Sequence, residues 1–62
     1  MATQGKVMSY SGGEGTIFWP AEEILYNFQT ADVDSGSPEV GDDCTFTPGN
    51  ADGLPQATGV SV

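Results

Sequence analysis

Two segments, Gly15-Thr16-Ile17-Phe18-Trp19 and Ile24-Leu25-Tyr26-Asn27-Phe28, are the densest apolar stretches of this 62-residue chain. Both are rich in β-branched and aromatic residues, a composition typical of half-buried strands. The link between them, PAEE at residues 20–23, contains a proline and two carboxylates and predicts a turn. We therefore expect a central β-hairpin. The competing prediction is a helix over residues 21–28, but a segment this short is not stable as a helix on its own.

Three further strands are predicted around this hairpin. Turns are expected at residues 11–15 and 48–53, and a long surface loop with at most one helical turn at residues 29–39. Within that loop DVDSG faintly echoes a calcium-binding loop, but the closing glutamate is missing and a solvated loop is favoured. The three strands cover residues 5–10, 40–47 and 54–62. Five strands without a long helix predict an all-β fold, a small antiparallel barrel.

The length fits a single domain, residues 1–62, with a small core. Its only cysteine, Cys44, allows no internal disulfide, and the chain has no histidine, so neither a zinc site nor another metal or cofactor is expected. No apolar run reaches the ~18 residues of a membrane span, and the N-terminus lacks the apolar core of a signal peptide. These features predict a cytoplasmic protein that does not bind membranes.

Nine acidic residues stand against the single cation Lys6, giving a formal net charge of −8. Proteins hold phosphate backbones chiefly through lysine and arginine, so this chain has almost none of that attraction. Its long-range field should repel nucleic acids and attract basic surfaces. The simpler interpretation, that the acidity only keeps a small protein in solution, stays open.

The order of the residues resembles the bacterial cold-shock domain family, whose fold is a five-stranded OB-fold barrel. The family's opening Gly-x-Val-Lys-Trp-Phe-Asn corresponds to GKVMSYS, its Lys-Gly-Phe-Gly-Phe-Ile to EGTIFW, and its Asp-Val-Phe-Val-His-Phe to EILYNF. Its Gly-Gln-x-Val-x-Phe and Gly-Pro-Gln-Ala-x-x-Val are similar to VGDDCTF and GLPQATGV. The matching segments begin at residues 5, 14, 23, 40 and 53. The resemblance covers residues 5–60 and implies an OB-fold-like barrel.

In this family, bases stack on aromatic side chains of one sheet face. Carried over position by position, the binding face consists of Tyr10, Thr16, Phe18, Leu25, Asn27 and Phe28. The family's first-strand tryptophan is replaced by Ser9, and its lysine before the second strand by Glu14. Since a stacking ring contributes about 1–3 kcal/mol per base, losing three or four weakens binding more than a hundredfold. The resemblance therefore implies a degenerate nucleic-acid face.

The register of the second strand leaves two positions open for Trp19. In the favoured register Trp19 belongs to the core, in place of an isoleucine of the family. If the register slips by one residue, Ile17 and Trp19 face outward and Phe18 turns inward. An exposed Trp19 would suit a hot spot for a protein partner.

An enzyme is not expected, because no histidine is present and Cys44 has no base near it in sequence. Two hypotheses remain. The first is a regulator or inhibitor that binds a basic or nucleic-acid-binding protein, acting as a mimic of nucleic acid. The second is a weak binder of single-stranded RNA or DNA that uses Tyr10, Phe18 and Phe28. The single lysine favours the first hypothesis, and the resemblance favours the second.

Overall fold

The computed structural model describes residues 3–62, which form six strands and one short 3-10 helix. The 3-10 helix, Thr30–Asp32, follows the third strand. The strands are β1 Thr3–Ser11, β2 Glu14–Trp19, β3 Ile24–Gln29, β4 Val33–Ser35, β5 Asp43–Ala51 and β6 Leu54–Ser61. The predicted central hairpin is therefore confirmed as β2 and β3, and the helix alternative over residues 21–28 is wrong.

Five of the strands close into a mixed barrel. The order is β3-β2-β1-β5-β6, and β3 returns to pair with β6. The closing pair is parallel, with Asn27 opposite Gln56, whereas the other barrel pairs are antiparallel. The expected small barrel is present, but it is not wholly antiparallel. The sixth strand, β4, lies in the predicted loop and pairs in parallel with β6 outside the barrel.

The barrel interior is filled by side chains that alternate along the strands. The alternation predicted for β5 is confirmed, because Cys44 and Phe46 point inward while Thr45 and Thr47 are exposed. The most deeply buried apolar side chains are Val7, Ile17, Tyr26, Phe28, Cys44, Phe46, Ala57 and Val60. Each strand therefore has an outer face left for solvent or a partner.

The hairpin of β5 and β6 is longer than expected, because residues 48–51 continue the strand. The turn is only two residues, Asp52 and Gly53, both at positive φ (54° and 79°), as primed hairpin turns require. In such a turn the two flanking residues, Ala51 and Leu54, form a hydrogen-bonded pair of the ladder. By alternation Pro48 and Pro55 then occupy non-hydrogen-bonded pairs, where a missing N–H costs nothing in this ladder.

The segment between β3 and β5 is tied down by Asp32. One of its carboxylate oxygens accepts hydrogen bonds from the Gln29 backbone N–H (2.9 Å) and from Gln56 Nε2 (2.7 Å). The carboxylate thus caps the 3-10 helix and joins it to β6. Among residues 3–62 no group of acidic, histidine or cysteine side chains is arranged to hold a metal ion. No helix within that range has the length and apolarity needed to cross a membrane.

Candidate binding face

Four of the six residues predicted for the binding face lie together on the outside of β2 and β3. The two strands pair so that Phe18 is opposite Leu25 and Thr16 is opposite Asn27. Leu25 is 53% exposed, and Phe18 is half-buried. The favoured register is confirmed, because Ile17 is fully buried and Phe18 lies on the outer side.

Tyr10 is not on this face, and a β-bulge in β1 is the reason. Val7 pairs with Ile17 and Ser9 with Thr16, so Met8 is an extra residue that shifts the alternation by one. Tyr10 consequently turns inward and stacks on Phe28, with ring centroids 5.4 Å apart and planes at 12°. Its hydroxyl lies 2.8 Å from Thr30 Oγ1. Tyr10 closes one end of the barrel.

Phe28 is also wrongly assigned to the face. It is 1% exposed and belongs to the core with Tyr26, two residues before it on β3. The strict alternation of a strand requires this, because Leu25 and Asn27 point outward. The periodicity of the sequence could have given the correct position, whereas the family correspondence gave the wrong one. As it stands, Phe28 offers no surface to a ligand.

Trp19 packs against the core, as favoured from the sequence. Its ring lies edge-on to Phe46, with centroids 6.5 Å apart, and tilted against Tyr26 at 6.1 Å. The slipped register, which would expose Ile17 and Trp19 together, is not found. Trp19 is half-buried at the end of the barrel near the β2–β3 turn.

β1 adds three residues to the face that the sequence assignment did not include. Lys6 pairs with Phe18 on one side and with Asp43 of β5 on the other. Ser9 Oγ lies 2.8 Å from Thr16 Oγ1, and Met8 is 49% exposed. We call the outer face the set Lys6, Met8, Ser9, Thr16, Phe18, Leu25 and Asn27. The bulge explains why both Met8 and Ser9 are exposed.

The turn next to this face carries two carboxylates. The Glu22 N–H donates to the Trp19 carbonyl (3.3 Å), which closes a turn with Pro20 at its second position. Glu23 follows with φ of 53°, a conformation that residues other than glycine rarely adopt. Glu23 is exposed and precedes Leu25 by two residues, so it lies in the chain next to the end of the outer face.

Cys44 has no part in this face. It is a free, buried thiol that points into the barrel. Burial raises the pKa of this thiol; the Gly5 backbone hydrogen bond lowers it by less than burial raises it, and the nearby negative charges of Asp43 and Asp42 raise it further. Because the thiolate is the reactive form, Cys44 is poorly suited to act as a nucleophile.

The outer face combines the exposed Met8 and Leu25 and the half-buried Phe18 with three uncharged polar residues and Lys6, on a chain of strongly negative charge. One ring, that of Phe18, is the aromatic group on it. No protein-family model matches the chain, and no curated protein is significantly similar to it in sequence.

Proposed function

We propose that this chain is a non-enzymatic binding module that regulates or inhibits a basic, nucleic-acid-binding protein by direct interaction. The observation that carries the proposal is the exposed Leu25 paired with the half-buried Phe18 on the outer face of a chain of net charge −8. Exposed apolar groups in contact on a sheet face are typical of interaction sites. The negative charge of the chain indicates a positively charged partner, because its field attracts basic surfaces and speeds their association.

The same residues argue against the role of a cold-shock protein. With Tyr10 and Phe28 turned inward, the outer face has one ring on which a base could stack. Ser9, Thr16, Leu25 and Asn27 occupy positions where the resembling family has aromatic rings or histidine. Lys6 is the one cation available to phosphates. The closed five-stranded barrel supports kinship with that family, and we propose that the fold was kept while the nucleic-acid face was lost.

The absence of an enzymatic role is part of the proposal. Its support is the position of Cys44, which is buried with a raised pKa and has no histidine to activate it. A binding module needs only a surface that stays folded when its partner leaves. The barrel, closed by pairing on both sides of β3, provides such a surface.

The test is a capture experiment with a matched pair of variants. The wild-type chain, the double variant Phe18→Ser/Leu25→Ser and the control Val40→Ser are each immobilised and exposed to cell lysate. Val40 is 68% exposed and lies outside the outer face. We expect a basic protein to be retained by the wild type and by Val40→Ser, and to be lost with the double variant.

An NMR titration of the labelled chain with oligo-dT and a mixed RNA tests the alternative, binding of single-stranded nucleic acid. At physiological salt we expect no shifts at Phe18, Leu25 or Asn27. Micromolar binding with shifts confined to these residues would overturn the proposal and restore a single-strand-binding role.

A further inference from the structure

The apolar part of the outer face continues beyond β3, across the parallel seam that closes the barrel. Asn27 of β3 is opposite Gln56 of β6. Two residues earlier on each strand stand Leu25 and Leu54. Leu54 is 61% exposed, whereas Ala57 is fully buried. Residues three positions apart on a strand point to opposite faces, so Leu54 points outward. Phe18, Leu25 and Leu54 therefore form one row across three neighbouring strands, which we call the apolar row.

A second row of uncharged polar groups runs beside the first. It consists of Thr16, Asn27 and Gln56, each two residues from the apolar row along its own strand. Two residues along a strand correspond to about 7 Å, the distance between the two rows. Gln56 is held in place by its hydrogen bond to Asp32. This row can exchange hydrogen bonds with a partner without adding charge.

Carboxylates border the apolar row on its other side. Because β3 and β6 are parallel, the turns that precede them lie at the same end of the barrel. These turns carry Glu22, Glu23 and Asp52, and Glu23 and Asp52 each stand two residues before a leucine of the row. Both have positive φ, at 53° and 54°. At Glu23 this conformation is strained, and strain kept at a residue where glycine would fit freely is typical of functional positions.

We infer that these rows bind a basic amphipathic α-helix of the partner, lying across the strands with its apolar stripe on Phe18, Leu25 and Leu54. This inference rests on the proposed function and specifies its partner. The spacing supports a helix, because three adjacent strands span about 10 Å and residues i and i+7 of a helix are also about 10 Å apart. Lysine or arginine on one flank of that helix contacts the carboxylates of the two turns. Polar residues on the other flank contact the row of Thr16, Asn27 and Gln56.

The probe is a synthetic peptide of about 18 residues, long enough to form a helix. It carries leucine at i, i+4 and i+7, lysine along one flank and glutamine elsewhere, and we call it the stripe peptide. A peptide of the same composition in scrambled order removes the stripe and keeps the charge. Binding of each to the labelled full chain is followed by NMR. We expect the stripe peptide to shift the amides of Leu25, Leu54 and Glu23.

Variants of the chain locate the contact. Leu54→Ser should weaken binding of the stripe peptide about tenfold, as loss of a buried leucine contact does. Val40→Ser, which removes an equally exposed aliphatic side chain elsewhere, should change affinity less than twofold. Both positions are exposed in the free chain, so neither substitution is expected to impair folding.

Three outcomes would overturn the inference. If Leu25→Ser weakens binding but Leu54→Ser does not, the docking surface ends at β3 and the proposed function stands. If the scrambled peptide binds equally well, charge alone accounts for the attraction and no helix is recognised. If the stripe peptide causes no shifts at millimolar concentration, the rows do not bind a helix, and the capture experiment decides the proposed function separately.

Discussion

Gly15 occupies a position in β2 where a side chain has no room. A Cβ added there would overlap the Ser9 carbonyl oxygen and come within 2.7 Å of the Phe28 ring. Both neighbours belong to the packing around Tyr10 and cannot move independently of it. We expect Gly15→Ala to lower the free energy of unfolding by about 1–3 kcal/mol, the usual cost of overpacking. Urea denaturation followed by tryptophan fluorescence measures the change.

Gly49 provides the matched control for Gly15. It also lies in a strand, but a Cβ there would meet only the Gln56 carbonyl oxygen at 3.6 Å, an ordinary contact. Gly49→Ala should therefore change the free energy of unfolding by no more than about 0.5 kcal/mol. Equal midpoints for the two variants would show that β2 can move away from β1 and Phe28.

Cys44 should make stability depend on alkaline pH. Burial raises its pKa above the ordinary value of 9.0, so the folded chain holds this proton more tightly than the unfolded chain. The contribution to stability is fully present below pH 9 and is lost as the pH rises through the folded pKa. The difference in free energy of unfolding between wild type and Cys44→Ala should shrink above pH 9. A constant difference from pH 7 to pH 11 would contradict the pKa shift.

At the scale of the elements, the strands could be predicted where the period of two is unbroken. β3 and β5 show it clearly, so their inward residues, such as Tyr26 and Phe46, follow from the sequence. β1 does not, because the bulge at Met8 reverses the side on which Tyr10 lies. The composition of residues 5–11 does not predict that extra residue, because the bulge depends on the pairing of β1 with β2. Four of the six residues predicted for the binding face lie on the outside of β2 and β3; the bulge accounts for Tyr10, and the family correspondence for Phe28.

The β2–β3 turn allows a prediction about strain. Glu23 has φ of 53°, where glutamate is disfavoured and asparagine is tolerated. Glu23→Asn should raise the free energy of unfolding by about 1 kcal/mol, because left-handed conformations cost other residues roughly that much. The same variant should bind the stripe peptide more weakly, because it lacks the carboxylate. Chemical denaturation and the peptide titration give the two results on one sample.

Asp52 is the control for this turn prediction. Its φ of 54° is nearly the same, but aspartate already tolerates that conformation. Asp52→Asn should therefore leave the free energy of unfolding within about 0.5 kcal/mol of the wild type. If Glu23→Asn and Asp52→Asn change the free energy of unfolding by the same small amount, the positive φ of Glu23 does not strain the turn.

At the scale of the whole molecule, the sequence predicted a small barrel but not how it closes. The closing pair joins β3 to β6 through Asn27 and Gln56, which are 29 positions apart, and neither residue type favours strands. The pairing arises because the four antiparallel connections bring the two strands together. It also joins Leu25 to Leu54 into one surface. The part of the candidate site on β6 therefore depends on tertiary structure that local patterns do not contain.

The net charge of −8 is carried by a molecule of 24 × 23 × 19 Å. The Debye length is about 30 Å at 0.01 M salt and about 8 Å at 0.15 M, so nearly all carboxylates repel one another at the lower salt but only neighbours do at the higher. Repulsion opposes the compact state. We expect sodium chloride to raise the melting temperature by about 4–8 °C over this range, equivalent to ~1 kcal/mol.

A variant with fewer charges separates repulsion from other effects of salt. Glu14→Gln/Asp34→Asn/Glu39→Gln removes three of the nine carboxylates, all exposed, and changes the net charge from −8 to −5. Because repulsion grows with the square of the charge, the variant retains about 0.4 of it. Its melting temperature should be higher than that of the wild type at 0.01 M salt and should respond less than half as much to added salt. An equal rise in both proteins would mean that salt acts through burial of apolar surface, and that this barrel tolerates its charge without loss of stability.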